Sequence, residues 1–208
     1  MSANPLESPP DRRGQILRAA MICFAKRGFH QASMHDISAE AGISVGLIYR
    51  YFENKDAVIS AMADEHKREI HEVLERARLA PTLVEAFEII FTWDCSENAP
   101  QIVSAFVVDL FAEAGRNPRV ADLVRDVARI AMEGVTDLIA RSPEATNLPF
   151  DLQPREITEM IFAVNDGMLM RDVLTPNRTS AERRERQIQF ARNLWRLLFS
   201  AKPEPALA

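Results

Sequence analysis

The chain has 208 residues, 47% hydrophobic and 26% charged, enough for one large or two small soluble domains around a real core. No stretch approaches the roughly 18 uninterrupted apolar residues that span a membrane. The opening MSANPLESPPDRR lacks the apolar run of a secretory leader, and seven glycines with no sustained two-residue alternation argue against β structure. The expectation is a cytoplasmic, all-α protein.

In chain order, residues 1–11 read as a Pro-rich arm too polar to fold alone. A first helix over 12–28 follows from Ile16, Ala19, Ala20, Cys23 and Phe24 at helical spacing, with Gly28 as a left-handed stop. Ser33 and Asp36 have the spacing of a capping box for a short second helix that Gly42 ends. Ser44 caps a third short helix, about Ser44–Tyr51, and Asn54 caps a fourth from Lys55 to Arg78. Longer helices are predicted near 82–95, 100–115, 118–141, 155–174 and 180–200. Pro81, Pro100, Pro118, Pro143, Pro154 and Pro176 mark the breaks, and PEATNLPFDLQP (143–154) is a loop. The tail 202–208 is too polar to pack. Single cysteines, Cys23 and Cys95, read as buried reduced thiols.

The net charge of −5 opposes nucleic-acid binding until its distribution is considered. Between Arg12 and Lys55 seven basic residues stand against three acidic ones, leaving a head of +4 on a remainder of −9. The same head contains SMHDISAEAGISVGLIYRYFENK (33–55). Two short helices crossing steeply need a small residue at their approach, which Ser38 supplies. They need a turn tolerant of positive φ at Gly42, and an inner face of Ile37, Ala41, Ile43 and Ile48. This is the pattern of a helix-turn-helix, whose second helix enters the major groove. Its outward residues would be Ser44, Val45, Gly46, Leu47, Tyr49 and Arg50.

The segment AKRGFHQASMHDIS followed by AEAGISVGLIYRYFENKDAVISAM, with Gly46, Tyr49, Phe52 and Lys55 as its frame, resembles the DNA-binding domain of the tetracycline-repressor family of bacterial regulators. VVDLFAEAGRNPRVADLV is similar to a later region of the same family. The resemblance implies a three-helix helix-turn-helix domain over 12–58 and a larger helical ligand-binding and dimerisation domain over 59–201. It implies phosphate contacts from Ser33, Ser44, Tyr49, Tyr51 and Lys55, and a base-facing set of Val45, Gly46, Leu47 and Arg50. Double-stranded operator DNA is the implied partner, and repression is favoured by resemblance alone.

One such motif reads too little DNA, so a homodimer is expected, through the helices near 155–174 and 180–200. Ile157, Ile161, Val164 and Met168 recur on one; Ile188, Ala191, Trp195 and Leu198 recur on the other, widened by Phe190, Leu194 and Leu197. The run AERRERQ reads as a solvated helix start. Phe87, Ile90, Phe91, Trp93, Phe106, Leu110, Phe111 and Met132 are candidates to line an effector cavity, with Asp94, Asp109, Glu113 and Asp166 nearby. A carboxylate among aromatics implies a cationic ligand or an arginine partner, so a small, mostly hydrophobic effector is expected. Its binding would move the fourth helix and spread the heads. The four histidines are dispersed, and neither a metal site, a cofactor loop nor a nucleophile–base pair appears. Two alternatives are control by a protein partner and a ligand-binding helical protein without a DNA role.

Overall fold

The structure, a computed structural model, describes residues 11–93, 100–148, 151–175 and 179–199. Within them lie α1 (Arg12–Arg27), α2 (Met34–Ala41), α3 (Val45–Tyr51), α4 (Lys55–Arg78), α5 (Leu83–Thr92), α6 (Pro100–Ala114), α7 (Pro118–Arg141), α8 (Pro154–Val173) and α9 (Ser180–Phe199). A short 3-10 turn, Pro143–Asn147, occupies part of the expected loop. No strand is present among the described residues. The arm before residue 11, Asp94, Cys95, Pro176 and the tail lie outside them.

Local chemistry sets the boundaries. Asp11, Ser33, Ser44, Asn54, Thr82 and Asn117 each accept a backbone N–H from the first turn of the helix they open. Proline stands first in α6, α7 and α8, where its missing donor costs nothing. Gly42 takes the left-handed conformation that lets α2 turn into α3 (φ 65, ψ 31). Gly28 differs from the expected left-handed stop: its φ of 77 is paired with an extended ψ of 158, a combination open essentially to glycine alone.

Two apolar cores are threaded on one helix. Ile16, Ala20 and Phe24 of α1, with Ile37, Ile48 and Phe52, close over Val58, Ile59 and Ala61 at the start of α4. Further along α4, Ile70, Leu74 and Ala77 join Phe87 and Phe91 of α5, Val135 and Ile139 of α7, Ile157 and Ile161 of α8, and Ala191 of α9. Burying such a side chain stabilises by roughly 1.5–3 kcal/mol, so each core holds its own stretch of α4 in place. At the crossing of α4 and α7, Gly134 admits Leu74 so closely that a Cβ at 134 would collide with Leu74 Cδ1.

Two expectations are corrected here. Ile157, Ile161 and Ala191, assigned to a self-association stripe, are buried within their own chain. The apolar residues left outward on α8 are Met160, Val164, Met170 and Val173, with Leu197 on α9. Nor is AERRERQ wholly solvated. Arg183 is buried, its Nε donating to Asp172 Oδ2 (2.9 Å) and its Nη2 to Ser104 Oγ (2.6 Å), while Arg186 donates to Asp172 Oδ1 (2.9 Å). This knot ties α6, α8 and α9 together, and it satisfies the requirement that buried charge be paired and hydrogen-bonded. Cys23 is buried and free, and burial pushes its thiol above the ordinary range. No helix among the described residues is long and apolar enough to cross a membrane.

Candidate nucleic-acid interface

Helix α3 is held from one side only. Ile48 is its sole buried side chain, and the Phe52 N–H closes the helix on Ile48 O at 2.9 Å. Ser44, Val45, Gly46, Tyr49, Arg50 and Tyr51 all lie exposed, Tyr49 at 54%, while Leu47 is half-buried. Nothing lies within 4 Å of where a Gly46 side chain would begin, so the helix presents bare backbone outward. An exposed row of serine, aromatic hydroxyls and one guanidinium on a seven-residue helix is suited to a polyanionic groove.

The phosphate contacts expected of Ser33 and Lys55 meet a different geometry. Ser33 spends its hydroxyl proton on Asp36 Oδ2 (2.7 Å) and accepts from Asp36 N (3.1 Å), completing the predicted capping box. The Ser33 hydroxyl first, then the Ser33 backbone N–H donating to Asp36 Oδ2 at 2.9 Å, together with Arg27 at 2.6 Å, hold the Asp36 carboxyl below the usual range. Lys55 Nζ donates to the carbonyls of Phe29 (2.5 Å), Ala32 (2.9 Å) and His30 (3.2 Å), and lies 4.6 Å from the Phe29 ring centroid. An ammonium has three protons, and all three are occupied. Burial lowers the Lys55 pKa, against the pull of Asp56 and Glu113. Lys55 therefore fastens the loop between α1 and α2.

Helix α6 grips the same loop. Asp109 Oδ2 accepts the Phe29 N–H at 2.9 Å, and Glu113, only 1% exposed, has Oε2 at 2.8 Å from His30 Nε2. That contact has ion-pair distance without hydrogen-bond alignment, and Glu113 Oε1 accepts from Asn117 Nδ2 at 3.1 Å. Phe106 packs on the head core, its ring 6.4 Å from that of Phe24. Phe106, Asp109 and Glu113, expected in an effector cavity, are thus joined to the head.

Models of known families cover most of this architecture. The one described as bacterial regulatory proteins, tetR family, matches residues 16–62, and the one described as BetI-type transcriptional repressor, C-terminal, matches residues 95–194. The chain belongs to the TetR family. It is a DNA-binding, helix-turn-helix regulator of transcription, in a family whose members respond to ligands. The HTH-type transcriptional regulator UidR of Escherichia coli is 27% identical over 192 residues, spanning 90% of this chain and 91% of that protein. The fold matches that of the fatty acid degradation regulator FadR from Bacillus halodurans, with a TM-score of 0.75 at 20% identity over 96% of this chain and 100% of the other. It also matches FadR from Bacillus subtilis in complex with stearoyl-CoA, with a TM-score of 0.70 at 19% identity over 90% and 97%.

In this TetR-family chain the remaining cavity candidates do not gather around one hollow. Phe87 and Phe91 belong to the second core, and Phe91 meets Phe190 of α9 edge-on at 5.4 Å. Ile90 and Leu110 are half-buried, and Trp93 stacks on His66 at 5.2 Å. Met132 lines an outer hollow between α7 and α8 with Thr136 and Arg155. Asp166, on α8, is half-buried, and burial raises its pKa. Asp94 lies outside the described residues. Sequence reasoning missed His30, Arg183 and the position of Arg13, whose guanidinium lies over the Phe52 ring at 5.4 Å. For none of them does helical periodicity carry a signal, because each contact joins separate elements.

Proposed function

We propose that the chain is a homodimeric repressor that holds a pseudo-palindromic operator through α3 and releases it when a small, mostly hydrophobic effector binds the body. The observation that carries this reading is α3 itself: it is fastened through Ile48, and every other residue of it but the half-buried Leu47 is exposed. In this reading Val45, Gly46, Leu47 and Arg50 meet base edges, with Arg50 suited to a guanine, and Ser44, Tyr49 and Tyr51 meet phosphate. Few polar groups face the bases, so thymine methyl contacts and DNA shape carry part of the selectivity.

The second half of the operator requires a second copy. The outward row of Met160, Val164 and Met170 on α8, with Leu197 on α9, offers an apolar face for a twofold-related chain. A head over residues 12–58 and a body over 59–201 divide the two tasks. The effector enters the body by parting the elements that carry the half-buried Ile90, Trp93 and Leu110, which share no single hollow in this structure, with Asp166 available to a cationic group. Its binding reaches the head along two routes: α4, which threads both cores, and α6, whose Asp109 and Glu113 grip the loop at Phe29 and His30. A coupling of about 1–3 kcal/mol would give a useful switch.

Gel-shift assays on the chain's own upstream DNA at stated salt test the reading. They are repeated with hydrophobic cations and with long-chain acyl-CoA, and paired with sedimentation analysis. A sequence-selective complex of two chains per site that one compound dissolves is the expected result. A monomer that ignores duplex DNA at low salt would refute it.

A further inference from the structure

We propose that Arg13 is a DNA-contacting residue that grips a backbone phosphate at the C-terminal end of α3; this rests on the reading of α3 as the groove-entering helix. Arg13 lies exposed in the first turn of α1, in a part of the chain that neither helix of the motif includes. Two contacts draw that turn against the motif. Gln15 Nε2 donates to Ala41 O at 2.6 Å, at the turn between α2 and α3. The Arg13 guanidinium lies over the ring of Phe52, the residue that closes α3, at 5.4 Å from its centroid.

Four of the other six cations of the head are engaged within the chain, while Arg50 lies on α3 itself and Arg18 is exposed further along α1. Lys26 pairs with Glu40 at 3.4 Å and Arg27 with Asp36 at 2.6 Å. Arg12 donates to Gln15 at 2.8 Å, and Lys55 is committed to three carbonyls. Arg13 has no carboxylate partner among the described residues; its contact is with an aromatic face. A guanidinium held over an aromatic ring with no carboxylate partner keeps N–H groups available, and planar forks of this kind bind phosphate.

Its position selects phosphate over base. The seven residues of α3 span about 10 Å, close to the roughly 12 Å width of the major groove. A cation just beyond the last residue of that helix stands at the groove wall, where the sugar–phosphate strand runs. Arg13, over Phe52, and Tyr51, the last residue of α3, then meet the strand at one end of that helix, while Ser44 faces the strand at the other.

Phosphate contacts are independent of sequence, so the test needs no operator. The probe is a fluorescein-labelled duplex of random sequence, titrated by anisotropy with the full chain from about 50 to 200 mM NaCl. Arg13→Gln and Arg13→Met are compared with Arg13→Lys and with Arg76→Gln, which removes the same charge from an exposed site late in α4. Arg13→Met keeps an apolar stem over Phe52, so it separates charge from packing, and thermal melts accompany every variant. The slope of log affinity against log salt should shrink by about 0.9 per protomer in both neutral variants, and the wild-type advantage should fall about tenfold across that range for a dimer. Arg13→Lys should restore the slope, and Arg76→Gln should leave it unchanged. Wild-type slopes in both neutral variants would overturn the assignment of Arg13 alone. Equal losses in Arg13→Gln and Arg76→Gln would overturn it as well, by reducing the effect to net charge. A wild-type chain without salt-dependent binding would overturn the groove-entering role of α3 on which the assignment stands.

Discussion

Replacing Lys55 by methionine separates two roles that its sequence position confounds. If the ammonium fastens the loop between α1 and α2, the loss is one of stability. The part-buried carbonyls of Phe29 and Ala32 lose a charged donor, and with loop water taking over in part each loss costs about 1 kcal/mol. The bond to His30 O is exposed, so water replaces it at little cost. The contact with the Phe29 ring adds about 0.5–1 kcal/mol. The expected total is about 3 kcal/mol, or a fall of roughly 6–12 °C in melting temperature for a chain of this size. Both tryptophans, Trp93 and Trp195, lie in the body, whereas circular dichroism follows every helix. A head that melts first will appear as a loss of ellipticity preceding the change in tryptophan fluorescence. The reasoning is refuted if Lys55→Met melts within about 1 kcal/mol of wild type while its salt slope falls by about 0.9 per protomer. That outcome would place the ammonium on DNA phosphate in solution.

Gly28→Ala should destabilise the head by about 1–3 kcal/mol, because a Cβ is forced onto a backbone at φ 77 and ψ 158; an unchanged urea midpoint would count against that conformation. Asp109→Ala leaves the Phe29 N–H without its acceptor, at about 1–3 kcal/mol, and should shrink the effector-dependent ratio of DNA dissociation constants; an unaltered ratio would exclude the α6 route. The Asp36 carboxyl is held below its usual range, so the stability it contributes is present above about pH 4 and is lost as pH falls through the lower folded value. Asp36→Asn should therefore flatten the acid limb of a stability–pH profile, and an identical limb would contradict the capping box as its source. For Asp166 the sign is opposite: burial raises its folded pKa, so ionising it near neutral pH opposes folding. Asp166→Asn should raise the melting temperature at pH 7 and weaken the response to cationic effectors; a lower melting temperature would reveal a charged partner for the carboxylate.

Short-range chemistry was legible in the sequence. Caps at Ser33, Ser44 and Asn54, prolines at the heads of α6, α7 and α8, and the turn at Gly42 act within a few residues of themselves, so the helix limits and the motif could be placed from them. What the sequence did not disclose is which element meets which. Asp109 and Phe29 are eighty positions apart, and the carboxylate looks the same in the sequence whether it faces a ligand or a backbone N–H. Periodicity likewise identifies an apolar face without naming its cover. On α8 the stripe divides, Ile157 and Ile161 turning into the chain's own core while Val164 turns out and Met168 is half-buried. Arg183 illustrates the same limit, because its burial depends on Asp172 and Ser104 arriving from two other helices.

In the proposed switch, the notch at Gly134 offers a point about which α4 could turn. Leu74 is seated against it where α4 crosses α7, which offers a fulcrum for such a lever. From Leu74 back to Lys55 is nineteen residues, an arm of about 28 Å. A rocking of about 5° about that point carries the head roughly 2.5 Å, and mirrored motion in a second copy would change the gap between reading helices by about 5 Å against a DNA repeat of about 34 Å. Widening residue 134 would move the fulcrum and regear the switch, while the parts that touch DNA stayed as they are.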